Sequence, residues 1–391
     1  MSSEVSDQTR VSWVFIAFSL ATFISFVGTS SISYFSVMLA DSGMSKATIG
    51  WVLSSALLST VPGILLCGGL LSRLSALQLA VMGQGISLLA YASFIVTFSH
   101  PLLAALSRFM VGAGFGLFFP AALLYARTLI SGPNAVFLFG LYSTMIPLPN
   151  LIGPGLAEAI YQRVGIQPVL WTFTACVAVG WGLSLLLPAM PKSERVAAPL
   201  SYWRILFNKQ ALLPHLAIVT VGLLWGFMLS FIALYLHATG ISATIFFSTA
   251  TLAMVASRFT IMAWLGRHSR YLVSGLGLLL MSGGYIILPW APDEVAVVFS
   301  AALIFGLGYS FAFPVLSLWA TDHYPQAQRG RPMAIFTALF QGGIFAIPLL
   351  AGVFSEALSL DVILHLLAVV SGVLALLVFV RGAMHRNKNA L

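Results

Sequence analysis

Charge is what this chain has least of. Of its 391 residues only 7% are Asp, Glu, Lys or Arg, against 60% hydrophobic, and the mean hydropathy is +1.01. Soluble globular chains carry about 25% charged residues, so that class is excluded. Disorder is excluded too, because it needs low hydrophobicity and high charge. Cysteine is almost missing. Cys67 and Cys176 lie far apart in apolar runs, which leaves no disulfide framework and no metal-ligand spacing. Lysine is scarce enough to bear on the energy source. Lys46, Lys192, Lys209 and Lys388 follow Ser45, Pro191, Asn208 and Asn387, so no phosphate-cradling loop ending in Gly-Lys-Ser/Thr is present. Uphill transport would then need an ion gradient or a separate partner. The seven histidines, His100, His215, His237, His268, His323, His365 and His385, form no pair at i+3 or i+4. An intramembrane enzyme, which would gather such residues around a metal or nucleophile, is not expected.

Apolar length is what the chain has in abundance. A bilayer-spanning helix takes about 20 apolar residues. Runs of that order cover 12–39, 47–71, 77–98, 102–127, 134–160, 169–190, 211–238, 244–265, 272–291, 296–321, 332–355 and 362–381. The expected fold is an all-α integral membrane protein with twelve transmembrane helices. The first run exceeds the 7–15 residues of a signal-peptide core and no small-residue cleavage site follows it, so no cleavable leader is expected.

An even number of spans returns both ends to one side, and the basic residues say which. Of the 18 Lys and Arg, those that fall on the N-terminal side are Arg10, Arg73, Arg127, Lys192, Arg195, Arg204, Lys209, Arg267, Arg270, Arg329, Arg331, Arg381, Arg386 and Lys388. Only Lys46 and Arg163 fall in the opposite loops, while Arg108 and Arg258 lie inside spans. The positive-inside rule makes both termini cytoplasmic. The net charge of +8 is thus a topology signal, with no nucleic-acid partner implied.

Two halves repeat. Gly43-x-Ser45 recurs as Gly240-x-Ser242, and Gly69-Leu-Leu-Ser72-Arg73 as Gly266-Arg-His-Ser269-Arg270. Gly112-x-Gly114 leads to Phe119-Pro120 in the fourth run, and Gly306-x-Gly308 to Phe313-Pro314 in the tenth. Glu158 and Glu356 hold matching places at the outer ends of the fifth and eleventh. Chance explains any one match; four in order favour duplication. The expected organisation is a six-helix bundle over 1–190, a cytoplasmic linker over 191–210 and a second bundle over 211–391. Two parallel six-helix halves around a midplane cavity is an architecture of alternating-access carriers.

These residues resemble the major facilitator superfamily in its twelve-helix form. Arg108-x-x-x-Gly112-x-Gly114 resembles its motif B, and Gly153-Pro154-Gly155 the core of its exporter motif C. The loop after the second run is similar to motif A only at Gly69 and Arg73; Ser72, Ser75 and Ala76 replace the usual Asp, Gly and Arg. Segments 141–155 (LYSTMIPLPNLIGPG) and 253–259 (AMVASRF) resemble metallophore exporters of the staphylopine type. That resemblance implies export of a small polar metal chelator across the bacterial inner membrane; a proton gradient is the expected energy source, no cofactor is expected, and a monomer suffices for this architecture. A drug or sugar efflux carrier, or an importer, are the alternatives within the superfamily.

Individual residues carry the substrate argument. An ionisable group inside a bilayer costs roughly 2.5–3.5 kcal/mol on insertion scales. Arg108 is therefore expected to contact solute or relay a proton, or else to brace helices through backbone carbonyls, and Arg258 is expected to line the cavity. With every acid expected at a helix end, two buried arginines would make a cavity electropositive and favour an anionic or zwitterionic solute. Asn150 and Gln341 are expected to face the bundle interior, because an amide facing lipid is left unpaired. Tyr34, Trp225 and Tyr309 join them as lining candidates, and Glu158 is either a coupling acid or an ordinary boundary acid. Pro147, Pro149 and Pro154 must bend the fifth span.

Overall fold

The computed structural model of the chain describes residues 13–130, 135–188, 201–260, 268–290, 292–325 and 328–388. Among them every regular element is helical and no strand occurs. Ten helical stretches are long and apolar enough to cross a membrane, from Trp13–Asp41 to Leu360–His385. Two further segments occupy the places of the fifth and eighth expected spans. One is the helix Ala243–Thr260, with 261–267 outside the described residues. The other is broken into three pieces, Ala135–Thr144, the 3-10 turn Leu148–Leu151 and Gly153–Val164. Three prolines within eight residues withdraw backbone donors, so this span breaks rather than bends.

We name the helices in chain order. Along the first half run α1 (Trp13–Ser30), α2 (Phe35–Asp41), α3 (Lys46–Ser54), α4 (Leu57–Leu70), α5 (Ala76–Thr97), α6 (Pro101–Thr128), α7 (Ala135–Thr144), α8 (Gly153–Val164) and α9 (Ile166–Leu185). After the short α10 (Tyr202–Leu206) come α11 (Leu212–His237), α12 (Ala243–Thr260), α13 (Arg270–Ile287), α14 (Val295–Thr321), α15 (Gly330–Phe354) and α16 (Leu360–Lys388). The chain forms two compact units: Met1–Ser31 with Leu58–Arg195, and Ile32–Leu57 with Val196–Leu391. The segment Ile32–Leu57, which the sequence pattern assigns to the N-terminal bundle, packs within the second unit. A Cβ on Gly50 would lie 2.1 Å from the Pro348 carbonyl oxygen, so the bare glycine lets α3 lie directly on α15. Ser54 Oγ takes the Leu349 N–H at 2.7 Å, beside Pro348.

The duplication is written into helix packing. In the first unit α5 and α6 touch backbone to backbone at Gly83 and Gly114; a Cβ on either would sit 2.5 Å from the other's carbonyl oxygen. In the second unit α13 and α14 do the same at Gly277 and Gly308, at 2.8 and 2.6 Å. Small residues at such crossings permit close approach where no hydrophobic force drives association. Gly43 and Gly240 both adopt positive φ, +86° and +77°, at matching turns. Helix starts revise one match, however. Ser75 caps α5 with a reciprocal Gln78 capping box, and Ser269 caps α13 by accepting the Leu272 N–H. Arg73 therefore precedes its helix whereas Arg270 opens its own, and the pairing of those two arginines is displaced by three residues.

Candidate functional site

Arg108 and Glu158 are, among the described residues, the Asp, Glu, Lys or Arg side chains that are buried, each 7% exposed. Both belong to the first unit. Gln167 Nε2 donates to the Ile95 carbonyl at 3.1 Å, which ties the α5–α6 turn to the α8–α9 turn at one end. Arg108 lies seven residues from that end of α6 and Glu158 six residues from that end of α8. At 1.5 Å per residue their depths are about 10 and 9 Å along their own helices. The expectation that every acid sits at a boundary is thus corrected: α8 begins only at Gly153, after the break, so Glu158 falls mid-helix on its buried face with Pro154 and Ala157.

Hydroxyl groups lock the Arg108 turn. Ser59 Oγ donates to the Phe109 carbonyl at 2.6 Å and Thr60 Oγ1 to the Gly112 carbonyl at 3.1 Å, fixing α4 against α6. On the other side Ser107 hydrogen-bonds Ser93 at 2.7 Å and Thr97 at 2.9 Å. Tyr91, 2% exposed, interacts electrostatically with Arg108 and donates its hydroxyl to the Thr29 carbonyl at 3.3 Å. Gly112 and Gly114 thereby acquire different tasks: one offers a carbonyl to Thr60, the other a bare surface to α5. Gln84, 3% exposed on α5, has both amide atoms buried without a hydrogen-bond partner.

The motif C residues lie at the break. Asn150, 8% exposed, sits in the 3-10 turn, and Gly153 and Pro154 start α8. Ser30 Oγ donates to the Val27 carbonyl at 2.8 Å and lies 3.4 Å from the Pro149 carbonyl. A Cβ on Gly153 would fall 1.7 Å from that same Ser30 Oγ. The first helix is broken as well: the 3-10 turn Ser31–Tyr34 separates α1 from α2.

The remaining candidates belong to the second unit. Tyr34, 1% exposed, closes that turn, and Gln341, 4% exposed, sits midway along α15. Arg258 falls in α12, but its side chain lies outside the described residues. Trp225 stacks on Tyr309 with centroids 4.2 Å apart, and Tyr309 continues to Phe313 and Phe340. A Cβ on Gly69 would meet open space, and Arg73 is exposed. In the second unit Asp322 holds Arg270 at 3.7 Å and Arg329 at 3.9 Å. No group of three or more His, Cys, Asp or Glu able to hold a metal occurs among the described residues.

Membrane-length helices with broken spans and charge buried at depth define a multi-pass membrane protein, and the family match makes it a transporter and not an enzyme. Residues 18–331 and 216–390 match the sequence profile of the Major Facilitator Superfamily, and the chain belongs to that family. It is 22% identical over 353 residues to the staphylopine export protein of Staphylococcus aureus, covering 85% of this chain and 87% of that one. It is 25% identical over 149 residues to the methylenomycin A resistance protein of Bacillus subtilis, covering 37% and 32%. Its fold is similar to that of the nucleoside transporter NupG, with a TM-score of 0.78 at 16% identity, over 94% of this chain and 99% of that one. The D-xylose–proton symporter is similar at a TM-score of 0.75 and 14% identity, over 93% and 96%.

Proposed function

We propose that the chain is a proton-driven exporter of a small anionic or zwitterionic solute of the metallophore class, working by alternating access as a monomer in the bacterial cytoplasmic membrane. The observation that carries this reading is breadth of similarity. The staphylopine exporter aligns over most of both chains, whereas the methylenomycin resistance protein aligns over a minority of each. Buried Arg108 supports a carboxylate-bearing solute, because a guanidinium recognises carboxylate oxygens through paired N–H donors. Glu158 supports a proton step, since buried carboxylates in membrane carriers mark proton and substrate paths.

Glu158 also favours a second reading, efflux of a cationic drug, which a buried acid would attract. Everted membrane vesicles separate the two. Respiration should drive uptake of a labelled aminocarboxylate chelator, and an uncoupler should stop it. Uptake of a cationic dye with no uptake of the chelator would replace the first reading with the second, and uptake that persists with the uncoupler would remove proton coupling.

A further inference from the structure

The second unit is electrically polar along its helices. Among the described residues, the end at which α11, α13 and α15 begin carries Arg204, Lys209, Arg270, Arg329, Arg331 and Arg381, with Asp322 as its acid. The opposite end carries Asp41, Asp293, Glu294, Glu356 and Asp361, with Lys46. The short helix α10 lies at the basic end and is firmly strapped. Ile205 is 1% exposed, and the Arg331 guanidinium sits 4.7 Å over the Tyr202 ring. Asn208 Nδ2 donates to Tyr324 Oη at 2.9 Å, and His215 Nδ1, in the first turn of α11, lies 3.3 Å from the Leu206 carbonyl.

The opposite face of α10 is aromatic and uncovered. Trp203 is 70% exposed and Phe207 68%, and their rings stack with centroids 6.0 Å apart at an interplanar angle of 7°. Arg204 and Lys209 flank the pair, exposed and without an ion pair among the described residues. Only residues 207–211 separate α10 from α11. That link is folded on itself, Phe207 N–H to Trp203 O and Ala211 N–H to Asn208 O, which holds the aromatic pair beside the turn that leads into α11. Tryptophan at headgroup level and basic side chains beside an anionic leaflet are the two features of an interfacial anchor.

We infer that α10 is an in-plane membrane anchor whose Trp203–Phe207 face enters the leaflet and whose Arg204 and Lys209 select anionic phospholipid headgroups. A lipid surface fits this face better than a protein does, because the aromatic pair lies between two exposed basic side chains at the basic end of a unit whose helices are of membrane length. Each basic residue near an anionic surface is worth about fivefold in lipid preference.

The full-length protein, reconstituted in symmetric vesicles of equal parts phosphatidylcholine and phosphatidylglycerol, tests this. Tryptophan quenching is measured with the bromine on one lipid or the other, and the Trp203 signal is taken as wild type minus Trp203→Phe. Strong quenching, several-fold greater from brominated phosphatidylglycerol, is expected. The double variant Arg204→Gln/Lys209→Gln, altered only at exposed positions, should remain quenched and lose the preference. An unquenched Trp203 would mean that the face meets water or protein and would overturn the anchor. Equal quenching by both lipids in the wild type, or a preference that survives the double variant, would overturn anionic selection.

Discussion

Gly153→Ala tests how the broken span is held. The new Cβ would lie 1.7 Å from Ser30 Oγ, 2.9 Å from Ser30 Cβ and 3.1 Å from the Val27 carbonyl oxygen. The worst of these contacts is with the end of a rotatable side chain. Turning that hydroxyl away breaks its 2.8 Å bond to Val27, a loss of about 1 kcal/mol net. The remaining approach to Ser30 Cβ is an overpacking contact of about 1–2 kcal/mol, the lower part of the usual range. Gly153→Ala should thus destabilise the first unit by about 2–3 kcal/mol, and Ser30→Ala alone by about 1 kcal/mol. Because both substitutions cost the same Ser30–Val27 hydrogen bond, which the double variant loses only once, that variant should be more stable than their sum by about 1 kcal/mol. Denaturant unfolding in detergent micelles, followed by tryptophan emission, gives all four corners of the cycle. Additivity within about 0.5 kcal/mol would refute the reasoning, since it would mean that Ser30 and Gly153 do not touch.

Other outcomes follow from the same structure. Gly50→Val, which drives a Cβ into the Pro348 carbonyl at 2.1 Å with backbone rather than side chain in the way, should lower stability by about 2–3 kcal/mol. No single side-chain truncation should rescue it in the same unfolding assay. Arg108→Gln should cut chelator export by about tenfold or more, the worth of a charge-assisted hydrogen bond, with insertion into the membrane unchanged; full activity would remove Arg108 from the solute path. At the α14–α15 turn, burial and the neighbouring Arg270 hold His323 below its ordinary value of 6.5, against the smaller opposing pull of the Gln210 backbone and Asp322. Its folded form binds protons less readily than its unfolded form, so it favours unfolding as pH falls below about 6.5. His323→Gln should flatten the stability-versus-pH curve between about pH 6.5 and 5, and an unchanged curve would assign the slope to other groups.

Helix positions were legible in the sequence because apolar length alone sets them, and Gly43 with Gly240 marked the repeat because only glycine readily takes their positive φ. Breaks without proline were not legible. Thr29, Ser30 and Ser31 each turn a hydroxyl onto the carbonyl three residues back, and the chain passes into a 3-10 turn at Ser31. Such back-bonding competes with the helix ladder, so the run Thr-Ser-Ser was the available signal. Tyr91 was missed as the neighbour of Arg108, although arithmetic could have found it. The α5–α6 turn centres on residue 99, and the two residues stand eight before and nine after it on antiparallel helices. The burial of Glu158 was hidden for the reverse reason: its depth depends on where α8 starts, and that start is set by the Pro147–Pro154 break.

The identity of the solute is the most direct test of export. Metabolites inside and outside cells should be compared with and without the gene, under iron and then zinc starvation. A small carboxylate-bearing chelator should appear in the medium of the parent and be retained inside the deletion strain. Identical chelator profiles under both starvations would contradict export.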